Sequence, residues 1–284
     1  MQGAARDPLV DWRPLAQSQR MSWWKPWTWW RRADAARSVP FARWEAVCRR
    51  APWWRELSSA ERARLVAYAT ELRAAWTFTG CGGLALDEAN ELAIAAQAAL
   101  LVLGLGPRAL LHVSEVLVYP SAVVNPLPRA TGGGVISEGL AVLGEAWHRG
   151  PVVLAWDAVA LALDASEDRH NLVWHEFAHQ LDLRDGAADG RPPLEQRVSQ
   201  QRWYEVLKAA YDALVAADAR GRVTVLDGYG ATNPAEFFAV ATEAFFGRPL
   251  ELERTRPELY RTLADYYLQD PAARERARET AMRL

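Results

Sequence analysis

The sequence predicts an α+β fold that is mostly helical, with a small mixed sheet and one helix bearing the motif H-E-x-x-H. Three observations predict it. Apolar residues recur at helical spacing through residues 38–105 and again from 198 onward. Strand character is confined to short valine-rich stretches in the middle of the chain, 113–119 and 152–156. Between these and the second helical block lies His175-Glu176-x-x-His179, whose neighbours Leu172, Val173, Trp174, Phe177, Ala178 and Leu181 are uncharged and mark a buried helix.

Taken in order, residues 1–37 form a Trp/Arg-rich extension in which Trp23, Trp24, Trp27, Trp29 and Trp30 crowd beside Lys25, Arg31 and Arg32. Tryptophan with arginine suits a membrane interface or a partner groove, and a short packed arm or a loosely held terminus accounts for the same residues. Met21 offers an alternative start to Met1. Residues 38–284 read as one domain, helical over 38–110 and carrying the sheet and the motif helices over 111–284. Helices are expected at 41–50, from a Ser58 or Ser59 cap through Trp76, and at 88–103, opened by Asp87 and stopped by Gly104 and Gly106-Pro107. The glycine-rich stretch from Phe78 to Leu84 has no G-x-x-x-x-G-K-[ST] and reads as a turn. A strand follows at 113–119 and a Pro/Gly loop at 125–134. Residues 140–147 and 152–156 flank His148-Arg149-Gly150-Pro151 as a hairpin-like pair. A short helix at 157–163, the motif helix at 169–183, a loop at 185–193 and an amphipathic helix at 198–217 come next. Prolines at or near the first turn then open helices at 234–246, 257–268 and 271–282.

Composition excludes several classes. Apolar content of 50% with 24% charged residues belongs to a globular protein with a real core. A net charge of -2 gives no basis for general nucleic-acid binding. Cys48 and Cys81 make neither a metal pair nor a disulfide framework, which suits a reduced, cytoplasmic setting. No apolar run has the length of a membrane span, and no signal-peptide pattern stands near the start.

The chemistry concentrates in the motif. On a helix, positions i and i+4 share a face, so His175 and His179 can present two imidazoles to one metal ion. Glu176, projecting beside them, is placed to act as a general base in metal-assisted hydrolysis. A catalytic zinc takes a third protein ligand, and the stretch from Tyr229 to Glu243 offers one. Asn233 is a natural N-cap with Pro234 at N1 and Glu236 at N3. Glu236 therefore has two readings, the closing half of a capping box or a metal ligand in an apolar helix. Glu243, seven residues on, either supports a histidine or is solvated. Asp182 either orients a ligand imidazole or belongs to the helix end.

These residues carry a resemblance to the Mlc titration factor A family of bacterial zinc peptidases. It spans roughly residues 40–270 and rests on Phe78-x-Gly80, Gly83-Leu84, Ala95-Ala96-Gln97-Ala98, Leu117-Val118-Tyr119-Pro120, Gly144-Glu145-Ala146-Trp147-x-x-Gly150-Pro151, the stretch from Asn171 to Asp182, and that from Tyr229 to Ala239. The last motif is also similar to one in the catalytic domain of anthrax lethal factor. The segment starting at Met21 resembles the family's short beginning. The resemblance implies a zincin-like fold, one zinc on His175, His179 and Glu236, Glu176 as base, and Tyr229 over the site. It also implies a cytosolic protein with aminopeptidase-type activity on peptides that binds a Mlc-type transcriptional repressor. In lethal factor an acidic residue follows the ligand glutamate by one turn. Val240 stands there in this chain, so that role does not carry over.

On this reading Glu176 takes a proton from the attacking water and Tyr229 donates to the oxyanion. The alternative for Tyr229 is a tyrosine packed at a helix entrance. Residues 140–147 are the expected edge for an extended peptide. A reading of another class is a non-catalytic protein that sequesters a regulator, with its zinc site incidental.

Overall fold

The computed structural model describes residues 39–121, 150–164, 170–194 and 199–283. The Trp/Arg-rich segment, the loop at 125–134 and the expected peptide-binding edge at 140–147 lie outside these residues.

The chain enters through α1 (Phe41–Cys48) and a short helix not expected from the sequence, α2 (Pro52–Glu56), which opens on a proline and buries Trp53 and Trp54. The third helix, α3 (Ser59–Ala75), starts where its cap dictates. Ser58 accepts the Glu61 N–H while the Glu61 carboxylate returns to the Ser58 N–H, a complete capping box. Asp87 and Asn90 close the same kind of box on α4 (Glu88–Leu101). Every residue of α4 from Leu92 to Leu101 is buried, as its Ala/Leu/Ile content requires. It packs on α1, on α3 and on the motif helix.

Three parallel strands lie in the order β1 (Thr77–Gly80), β2 (Glu115–Tyr119), β3 (Val152–Ala155). Val116 and Val118 of β2 turn inward while Glu115, Leu117 and Tyr119 are half-buried, the period-2 alternation of a strand. The expected turn from Phe78 to Leu84 is half strand. Thr77 pairs with Glu115 and Gly80 with Val118, and only Gly82 and Gly83 turn, both at positive φ. Gly80 is there for close approach, since a Cβ would stand 2.1 Å from the Leu84 carbonyl oxygen. The mixed character expected of the sheet is not found among the described residues, where all pairing is parallel.

Chain then runs from β3 directly into α5 (Trp156–Leu161) and on to the motif helix α6 (Leu172–Asp182), which packs against β3. A buried polar hook sets where α6 begins. Asn171 caps it by accepting the Trp174 N–H at 3.0 Å, and its amide donates to Gln97 Oε1 on α4 at 2.9 Å. Trp174 Nε1 donates to the Gln97 carbonyl, and Phe177 stacks on Trp76 with centroids 4.8 Å apart. Beyond a 3-10 turn at Leu183–Asp185, Gly186 adopts the left-handed conformation that ends the helix.

The remaining helices are α7 (Gln200–Asp218), α8 (Pro234–Gly247), α9 (Pro249–Thr255), α10 (Pro257–Tyr267) and α11 (Pro271–Arg283). The short α9 was not expected. Twelve consecutive residues of α8, Ala235 to Phe246, are buried, and this helix packs on α6. Trp174 meets Phe246 across that interface with centroids 5.7 Å apart. Among the described residues no helix is long and apolar enough to cross a membrane.

Candidate metal centre

Two helices build the site. α6 supplies His175 and His179 on one face, their rings in an edge-on arrangement with centroids 4.9 Å apart. α8 supplies Glu236 from its first turn. Asn233 caps α8 by accepting the Glu236 N–H at 3.0 Å, yet the Glu236 carboxylate does not close a capping box. It turns to the histidines, with Oε2 3.0 Å from His175 Nε2 and 3.3 Å from His179 Nε2. The two Nε2 atoms are 3.2 Å apart. Of the two readings of Glu236, the geometry selects the one that faces the histidines.

The donor set fits a metal ion. A tetrahedral site with donors about 2.0–2.1 Å from zinc has donor–donor edges of about 3.3–3.4 Å, close to the triangle these atoms form. The proton positions point the same way. His175 Nδ1 lies 2.8 Å from Glu243 Oε1. An ionised carboxylate only accepts, so Nδ1 carries a proton, and release of the Nε2 proton to an incoming metal would turn that lone pair towards the Glu236 carboxylate and His179. Two imidazoles and a carboxylate converging in a partly buried place suit a cation between them. His175, His179 and Glu236 are the group of metal-binding side chains that converges among the described residues.

The surrounding charges have clear causes. Burial pulls His175 down, but the carboxylates of Glu236 and Glu243 reverse this and hold it up at about 10. Burial pushes Glu236 up, and the two imidazoles overcome that and hold it at about 2. Glu176 is shifted upward because burial outweighs the nearby histidines. The Tyr229 ring lies against His175 at 6.1 Å between centroids, on a 3-10 turn at Gly228–Ala231 that Asp227 caps by accepting the Tyr229 N–H at 2.7 Å. All five residues singled out from the sequence, His175, Glu176, His179, Tyr229 and Glu236, thus belong to α6, the start of α8 and the turn just before it.

Two finer expectations are decided. Glu243 is not solvated; it is buried on the Nδ1 side of His175, two turns after Glu236, while Val240, one turn after, packs near Gly230. Asp182 does not contact an imidazole in the described hydrogen bonding. Its Oδ2 accepts the Gly190 N–H at 2.7 Å and its Oδ1 is buried without a hydrogen-bond partner. Sequence reasoning missed Gln97 as the anchor of α6, though a lone glutamine in the apolar run of α4 was a usable signal. It also missed His170 and Asp227, which lie beyond Glu243 and line a neighbouring cavity of about 410 Å³ with Arg222 and Arg248.

A helix pair presenting two histidines and a glutamate to one point is the arrangement of a metallopeptidase-like protein, and the comparisons agree. Residues 27–268 match the model of a family described as glucose-regulated metallo-peptidase M90, and the chain belongs to that family. It is 38% identical over 248 residues to the uncharacterized protein slr2042 of Synechocystis sp., covering 86% of this chain and 90% of that one. It is 33% identical over 261 residues to Mlc titration factor A of Yersinia pestis, covering 90% of this chain and 94% of the relative. The Yersinia pseudotuberculosis protein of the same name matches to the same extent.

Proposed function

We propose that this chain is a zinc-dependent peptidase, of aminopeptidase type, with residues 38–284 forming one zincin-like catalytic unit that works in the cytoplasm. The observation that carries the reading is the convergence of His175 Nε2, His179 Nε2 and Glu236 Oε2 beside Glu176. Two imidazoles and one carboxylate make a donor set of catalytic zinc, and they leave a fourth position open. Zinc, when bound, supplies a water of lowered pKa and polarises the substrate carbonyl.

The chain's own residues do the rest. Glu176, its carboxyl raised by burial, takes a proton from the attacking water as the oxygen adds to the peptide carbonyl carbon. The same carboxyl returns the proton to the amine as the C–N bond breaks. The Tyr229 hydroxyl donates to the developing oxyanion, an interaction that exists only beyond the ground state and so lowers the barrier. Glu243 fixes the His175 tautomer by accepting its Nδ1–H.

The Yersinia relatives' printed name favours a second role. A protein named for titrating Mlc suggests that this chain also binds a repressor of the Mlc type. In the non-catalytic version of that reading the chain sequesters the regulator and its metal site is incidental.

The test is a scan of peptide and aminoacyl substrates with purified protein, before and after chelation and after zinc is returned. Turnover lost on chelation and restored by zinc is expected. Zinc-loaded protein inert to every substrate, in cells where Glu176→Gln keeps full regulatory function, would favour sequestration.

A further inference from the structure

Beyond the candidate metal centre a chain of four side chains runs back to the turn that carries Tyr229. His175 Nδ1 meets Glu243 Oε1 at 2.8 Å. Glu243 Oε2 accepts the Asn171 N–H at 2.8 Å and lies 3.5 Å from His170 Nδ1. His170 Nε2 lies 3.4 Å from Asp227 Oδ2. The other oxygen of Asp227, Oδ1, caps the turn that carries Tyr229. One imidazole therefore spans two carboxylates, one held by a candidate metal ligand and the other holding the tyrosine's backbone.

We propose that His170 is a positioning residue that couples the metal centre to the Tyr229 turn through Glu243 and Asp227. The inference rests on the peptidase reading for its consequence, though the coupling itself does not need turnover. Each ring nitrogen of His170 lies within ion-pair distance of one of these carboxylates. Asp227 first, and then Glu243, lift it to about 10, so the ring stays a cation between the two carboxylates near neutral pH. Its side chain is 54% exposed, so packing does not account for its place. The turn is also closely packed against its neighbours. A Cβ on Gly228 would stand 2.5 Å from Asp218 Oδ1, and one on Gly230 would stand 3.1 Å from Leu214 Cδ2. The loop backbone is thus pressed between α7 and α8, and Asp227 sets how it enters. An ion on His175 fixes the ring whose Nδ1–H holds Glu243. His170 passes that order to Asp227, which orients the N–H of Tyr229.

The coupling is read by amide hydrogen exchange in the full chain, metal-free and with one equivalent of zinc, after metal analysis has established binding. In the parent protein zinc should slow exchange over residues 228–231 about fivefold or more, the lower end of ordinary coupling between sites. His170→Ala, at a half-exposed position, and Asp227→Asn, which keeps the cap oxygen, should both still bind one zinc per chain and lose that slowing. A peptidase assay adds a second reading. His170→Ala should lower kcat by roughly tenfold with KM nearly unchanged, yet cause no further loss when Tyr229 is already Phe, because residues acting through one group are not additive. Equal zinc-dependent slowing in parent and His170→Ala overturns the proposal, as does zinc binding to the parent without any slowing. Absence of zinc binding, or slowing without peptidase activity, counts instead against the metal or peptidase reading.

Discussion

Glu176 and Glu236 carry the same functional group in different surroundings, and the proposed peptidase reading gives them different tasks. Burial shifts the Glu176 carboxyl upward, which suits the proposed general base, while two imidazoles outweigh burial and hold Glu236 at about 2, which suits the proposed ligand. Glu176→Gln should keep zinc and lose turnover by roughly 10²-fold or more, the lower range of a general base's contribution. Metal analysis beside a kcat measurement checks both halves, and loss of zinc in this variant would contradict the assignment. Tyr229→Phe should lower kcat by roughly 10²–10³ with zinc content unchanged. Glu243→Gln should weaken zinc binding by roughly 10–100-fold in a chelator competition, because a neutral amide supports the His175 tautomer less well. The histidine pair was legible because i and i+4 on a helix fix geometry without tertiary information. Glu236 was only half legible, since an N3 glutamate after an asparagine cap has a local task available. The direction of its side chain depends on α6, 61 residues away in sequence. Glu243 and His170 could not be resolved for the same reason.

Elements begin where short-range chemistry tells them to, and the sequence is most readable there. Ser58, Asp87, Asn171, Ser199 and Asn233 all accept a backbone N–H from the first turn of their helices. The misread element is β1. Its stabilising partner, Glu115 onward, is far along the chain, and Gly80 signals a close approach to Leu84 that resembles a turn signal in sequence. Asn171 serves two elements at once, capping α6 and tying it to Gln97. Asn171→Ala should cost about 1–3 kcal/mol in urea denaturation, the loss of a cap plus a buried amide left unpaired. The far end of α6 gives a pH prediction. Burial pushes Asp182 up to about 6 from 3.8, so between those values the folded chain holds a proton that the unfolded chain has released. Stability falls as pH rises through that window. Asp182→Asn removes the titration, so its stability relative to the parent should rise by about 1–3 kcal/mol between pH 4 and 6.5. Parallel pH profiles for the two proteins would show that folding does not raise the Asp182 pKa.

At the scale of the molecule, the candidate metal centre joins two helices that the chain keeps well apart. α6 is anchored on α4 and the sheet, α8 on the C-terminal helices, and His175, His179 and Glu236 meet across their interface. A cation there binds the folded chain alone. At 100-fold excess over its dissociation constant it adds about 2.7 kcal/mol, or about 4–5 °C in Tm for a chain of this size. Calorimetry with and without chelator reads that shift, and Glu236→Gln should shrink it. Fold class was readable at this scale because helix periods dominate the composition. Strand order was not, since parallel pairing is settled by long-range contacts. The central claim is that one zinc sits among His175, His179 and Glu236 with Glu176 beside it and uncoordinated. It is tested most directly by crystals of the zinc-loaded protein and an anomalous difference map at the zinc edge. The account predicts one peak per chain, about 2.0–2.2 Å from His175 Nε2, His179 Nε2 and a Glu236 oxygen. A peak elsewhere, or one at this site ligated by Glu176 or closed by a fourth protein side chain, would contradict it.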